Sequence, residues 1–140
     1  MRNAVVDALD GDATLTGLLT GGIYTGVEIS RQETPDAFDE FRELLPCALV
    51  ALDTTAPFGP HVDSANVFVR IHLYQQHGVD VIEQARRRVY ALLHRVKLEP
   101  AAGDEAGCWN VFHVGDVLDV EDPGLEASMA VSRFQAVVRR

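Results

Sequence analysis

The sequence predicts an α+β fold: a mostly antiparallel four-stranded sheet with helices packed on one face. Three observations carry that expectation. Apolar runs of strand length recur four times, they arrive in adjacent pairs as hairpin-joined strands do, and residues 80–97 hold the strongest 3.6-residue apolar period in the chain. At 140 residues one domain over 1–140 is expected, and an apolar content of 47% supplies its core and excludes global disorder.

Taken in order, residues 3–10 place Val5, Val6 and Leu9 on one helical face before Asp10-Gly11-Asp12 interrupts the run. Asp12 is placed to cap a second short turn carrying Leu15, Leu18 and Leu19, which Gly21-Gly22 ends. Residues 23–33 read as irregular. Thr34-Pro35-Asp36 has the chemistry of a helix start, and Phe38, Phe41, Leu44 and Leu45 follow at helical spacing up to Pro46, so a helix over 35–45 is expected. Cys47–Asp53 reads as a strand, and Thr54–Ser64, with Pro57, Gly59 and Pro60, as irregular connection. Asn66–Gln75 alternates cleanly, with Val67, Val69, Ile71 and Leu73 on one side and Phe68, Arg70, His72 and Tyr74 on the other. After the Gly78 break, Asp80 is the expected cap of a helix that buries Ile82, Ala85, Val89, Leu92, Leu93 and Val96 and ends before Pro100. Ala101–Gly107 reads as a polar, flexible connection. Trp109–Val120 and Met129–Val138 then form two strands joined by the turn residues Asp122-Pro123-Gly124. Alternation puts Trp109, Val111 and Val117 on one face of the third strand and Phe112, Val114, Leu118 and Val120 on the other. So much apolar surface on a small sheet predicts that part of it meets another subunit.

The charge balance narrows the function. Twelve Lys and Arg against 21 Asp and Glu give a net charge of −9, which disfavours generic binding to nucleic acid. Arg86, Arg87 and Arg88 are consecutive on a helix and point about 100° apart, so they fan out and do not make one basic patch. Cys47 and Cys108 lack metal or redox spacing, which predicts a reducing compartment without a disulfide framework. No apolar run approaches the ~20 residues of a bilayer span, and the first 19 residues lack a secretory signal, so a soluble protein without membrane contact is expected. His61, Asp63, His72, His113 and Asp116 are the one candidate set for a metal-dependent hydrolase, but their spacing matches no dense ligand motif. Neither cysteine has a nearby base, and there is no nucleophile elbow or phosphate-binding loop, so no catalytic residue, metal or cofactor is expected.

Three segments together resemble a known family. Asp12-Ala-Thr-Leu15-Thr-Gly-Leu18 followed by Gly22-Ile23-Tyr24, then Leu45-Pro46-Cys47-Ala-Leu-Val-Ala-Leu, then Val67–Tyr74 with the His77-Gly78 break and the 80–97 helix, are similar in order and spacing to the tail terminator (tail completion, DUF3168-like) proteins of long-tailed phages. The likeness spans nearly the whole chain and departs between Gly26 and Leu45, where this sequence carries an insertion. The resemblance implies a structural virion protein and no enzyme. It would be made in the host cytoplasm and placed at the head-proximal end of the tail. There a ring, usually of six copies, stops tube growth and joins the tail tube protein to a head-completion or neck protein. It also implies that DNA passes through the lumen without specific binding; six copies would carry 6 × −9 = −54 charges facing or flanking that passage. On this reading Arg86, Arg87 and Arg95 are candidates for intersubunit salt links, and His72 and Tyr74 for contacts with a neighbour. A head-closure or neck protein, or a tube-like subunit, is the nearest alternative, and a small metal-binding hydrolase the more distant one.

Overall fold

The structure, a computed structural model, describes residues 1–26, 28–57, 64–104 and 108–139. Its elements are α1 (Arg2–Asp10), α2 (Ala13–Leu18), β1 (Ile23–Thr25), a 3-10 turn (Pro35–Ala37), β2 (Cys47–Pro57), β3 (Ser64–Gln75), α3 (Asp80–Leu93), β4 (Val96–Leu98), β5 (Cys108–Asp122) and β6 (Ala127–Arg139).

These strands form one six-stranded mixed sheet in the order β1-β2-β3-β6-β5-β4, curled into a half-barrel, and this overturns the expected four-stranded antiparallel sheet. The four long strands are the ones anticipated, paired antiparallel throughout. The difference lies at the edges. β1 runs parallel to Ala48–Val50 of β2, and β4 pairs with Trp109–Val111 of β5. Both edge strands have three residues, too few to leave a period in the sequence.

The helices cover one sheet face. Val5, Leu9 and Leu15 of α1 and α2, and Ile82, Ala85, Val89 and Leu93 of α3, bury against Val67, Val69, Ile71 and Leu73 of β3 and Ala130, Phe134 and Ala136 of β6. Asp12 caps α2 as expected, accepting from the Leu15 N–H at 2.9 Å. Asp80 does not cap α3. Gln75, at the end of β3, does so from outside the helix: its Oε1 accepts from Val81 and Ile82 N–H at 2.9 and 3.2 Å, while its Nε2 donates to Asp80 Oδ1 at 2.8 Å. Of the expected 101–107 connection, the described part, 101–104, does more than connect, because Asp104 accepts from the Asn3 and Ala4 N–H groups and so closes the start of α1.

The expected 35–45 helix is absent. Thr34-Pro35 begins a turn that stops after Ala37, and the chain doubles back through a Phe38–Leu44 bridge. Asp39 explains why: its carboxylate takes the N–H groups of Phe41 and Glu43 at 2.8 and 2.9 Å, an alternative to helical bonding, and Arg42 adopts a left-handed φ of 62°. β2 and β3 also reach further into the 54–64 stretch than its Pro and Gly suggested. An irregularity between Leu52 and Thr55 resets the register, and Pro57 falls at the strand end.

Candidate assembly interface

Opposite the helices, the second sheet face is only half covered by the described residues. At one end Ile29, Ala37 and Leu44, from the segment preceding β2, pack on Cys47, Leu49, Tyr74 and Ala127. The remainder is an open concavity of about 570 Å³, walled by Val114, Val117, Val120, Met129 and Val131. Its far rim is charged. Asp53 Oδ2 lies 3.2 Å from Arg133 Nη2 and 4.0 Å from Arg70 Nε, and the Arg133 guanidinium stacks 4.5 Å above the Phe68 ring. Two arginines to the one carboxylate of Asp53 make this rim locally positive among the described residues, on a chain of net charge −9.

Bulges in β5 create the concavity. The register with β6 slips between His113 and Gly115 and again between Val117 and Val120. One extra residue reverses the facing of everything after it. Val117, which strict alternation groups with the buried Trp109 and Val111, therefore opposes Val131 on the open face and is 56% exposed. Phe112, Val114 and Leu118 are also exposed, so the surplus apolar surface gathers along this part of β5.

The residues singled out from the sequence fall in three places. His72 is half-buried in the concavity, its ring stacked on Tyr74 at 6.3 Å. Burial first, then the Arg70 charge, holds its imidazole below the usual histidine range. Tyr74 is buried under the segment preceding β2, and burial, with Asp122 and Cys47 adding to it, pushes its hydroxyl up to about 12. Arg86 is engaged within the chain: it reaches Asp116 Oδ2 at 3.0 Å, and Asp116 Oδ1 in turn meets His113 Nε2 at 2.8 Å. Burial works to raise the Asp116 pKa, but hydrogen bonds from His113 and Ser132 and the charges of His113 and Arg86 bring it below the usual value. Arg87 and Arg95 are exposed. Arg95 has a left-handed φ of 60° and turns α3 into β4, its N–H donating to Val111 O at 2.8 Å. Sequence reasoning missed the role of Arg88, whose guanidinium grips both oxygens of Asp12 at 2.8 and 2.6 Å and ties α3 to the start of α2. Seventy-six positions separate the pair, so no local pattern could have joined them.

The metal candidates do not converge. His72 and His113 lie on opposite faces of the sheet, and His61 and Asp63 lie outside the described residues. Among the described residues no group of three or more His, Cys, Asp or Glu could hold a metal ion. Cys47 is fully buried, and burial pushes its thiol up to about 12. No described helix is long and apolar enough to cross a membrane.

The geometry defines a small α+β domain with one sheet face closed by its own helices and the other left half open. That fold is similar to a chain in a solved structure described as the virion of a native gene transfer agent particle. The match has 16% sequence identity and a TM-score of 0.67, and covers 100% of this chain and 95% of that one. At such identity the likeness is one of fold. No protein-family model matches the sequence, and no curated protein is significantly similar to it.

Proposed function

We propose that this chain is a structural protein of a phage or phage-like particle, acting as a tail terminator. In that role copies close into a ring, taken to be a hexamer, at the head-proximal end of the tail tube. The ring stops tube growth and presents a surface to the neck. The observation that carries the reading is the full-length fold likeness to a chain of a gene transfer agent virion. The half-open apolar face and the sequence resemblance support it. The work of such a protein is done by contacts, and no bond is made or broken. A ring of identical subunits needs a heterologous contact, two different patches on each copy, with a rotation that closes.

Arg87 and Arg95, exposed on the helix side, are the proposed salt-link donors there, whereas Arg86 is already paired with Asp116. His72 is proposed to face a neighbour from the concavity. The test is native mass spectrometry of the purified chain combined with location of the protein in assembled particles. A closed species of 6 × 15.3 kDa, about 92 kDa, at the tail-neck junction is expected. Finding the protein along the tube or in the head shell would overturn the terminator role, and finding it in no particle would overturn the virion reading. Arg87→Glu is expected to weaken the ring; an unchanged oligomer distribution removes Arg87 from the contact.

A further inference from the structure

One feature of the surface matches the concavity in both shape and charge. The turn between Phe38 and Leu44 holds Phe41 at its tip, 75% exposed, more than any other large apolar residue described. Single exposed apolar residues are ordinary and mean little alone. This one is braced. Asp39 N–H donates to Glu43 O at 2.9 Å, Arg42 N–H to Asp39 O at 3.0 Å, and the Asp39 carboxylate takes the Phe41 and Glu43 N–H groups. From the flank, Arg31 reaches the Arg42 carbonyl at 2.9 Å and lies over the Phe38 ring. The aromatic tip is thus presented in a fixed shape, which removes much of the ordering cost of binding. It is flanked by Glu40, Arg42 and Glu43, all exposed, so with Asp39 the turn 39–43 carries three acids to one base and is acidic as a whole.

The concavity offers the complementary set. Its valine walls suit an aromatic ring, and its volume of about 570 Å³ leaves room for the turn backbone beside the ring. Arg70 and Arg133 share the carboxylate of Asp53, while Asp116, which also lines the concavity, spends its carboxylate on His113 and on Arg86 of α3. The Nε atoms of both arginines, and His72 Nδ1, are buried without a hydrogen-bond partner among the described residues. Carboxylates arriving from outside would relieve a local excess of positive charge.

We propose that the Phe41 tip of one copy of this chain seats in the Arg70–Arg133 concavity of the next, with Glu40 and Glu43 answering the two arginines. Tip and concavity are different patches of one surface, so the contact is head-to-tail, and it gives the ring of the proposed function where the rotation per copy divides the circle. The inference rests on the ring reading and supplies its subunit contact.

The experiment uses two variants of the full chain, each checked for an unchanged far-ultraviolet spectrum and melting temperature: Phe41→Ala, which lacks the tip and keeps the concavity, and Val117→Arg, which does the reverse. Wild type is expected to self-associate in native mass spectrometry and sedimentation. Either variant alone is expected to lose affinity roughly 30-fold or more, the size of an aromatic hot-spot loss. Mixed in equal amounts, the two are expected to form a 1:1 heterodimer and nothing larger, because one intact tip meets one intact concavity. A Phe41→Ala chain that assembles like wild type overturns the contact and leaves the ring reading standing. The same variant assembling normally but failing to bind isolated tail tubes or neck complexes assigns the tip to a different partner and also overturns it. A wild-type chain that stays monomeric at high concentration overturns it too, and the virion reading is then decided by particle location alone.

Discussion

Asp12 serves two elements at once. Its carboxylate accepts the Leu15 N–H at the start of α2 and both arms of Arg88 on α3. The Arg88 hydrogen bond is the main reason its pKa is lowered to about 2 from the ordinary 3.8. A folded-state value below the unfolded one means that this stabilisation is complete above pH 3.8 and is lost as pH falls towards 2. His72 has its own window. Burial and Arg70 lower its pKa from 6.5, so it contributes nothing above that pH. Below 6.5 the unfolded chain takes up a proton that the folded chain resists, and stability begins to fall. Melting temperatures measured from pH 7 downward are therefore expected to show an early decline starting near 6.5 and a second one below 3.8. His72→Gln is expected to remove the early decline. Asp12→Asn is expected to lower the melting temperature by several degrees at pH 7 and to flatten part of the acid limb. An early decline that survives His72→Gln assigns it to another group.

The elements show which signals a sequence carries and which it does not. The four long strands and the body of α3 were legible because their apolar periods run over many residues, but the helix expected over 80–97 stops at Leu93, where Arg95 turns the chain and Val96 joins β4. The edge strands were not, because three residues hold no period. The 35–45 segment misled because Phe38, Phe41, Leu44 and Leu45 satisfy helical spacing by coincidence. Phe38 and Leu44 in fact oppose each other across a bridge, and Phe41 points to solvent. Alternation likewise misplaced Val117, since a bulge leaves no mark in the apolar pattern. The half-open face and its arginine rim therefore could not be assembled from the sequence, although Arg70 and His72 were correctly placed on one side of their strand. The cap of α3 was invisible for a similar reason: it comes from Gln75, outside the helix. Gln75→Ala strands the Val81 and Ile82 N–H groups near the core, and a loss of about 1–3 kcal/mol is expected in urea unfolding, with an unchanged m value. A loss no larger than that of an exposed surface substitution would show that water replaces the cap.

On the scale of the whole molecule, stability is graded across the sheet. β3 and β6 lie at the centre, each paired on both sides, with Val69, Ile71, Phe134 and Ala136 fully buried. β5 is different: β4 covers only Trp109–Val111, and past that point its outer side meets no strand among the described residues. Hydrogen exchange is expected to be slowest in 67–73 and 132–136 and much faster at those amides of 112–122 that point away from β6, and a partner covering that edge is expected to slow them. Uniform protection along β5 in the isolated chain would contradict this grading. The bare side of β5 has a further consequence. A long apolar strand with unused backbone groups is a template on which other chains can stack into fibrils, and here the two register slips and the left-handed Asp119 keep it too bent to serve. The same kinks that hollow out the concavity thus also make the bare edge a poor template for the stacking of other chains.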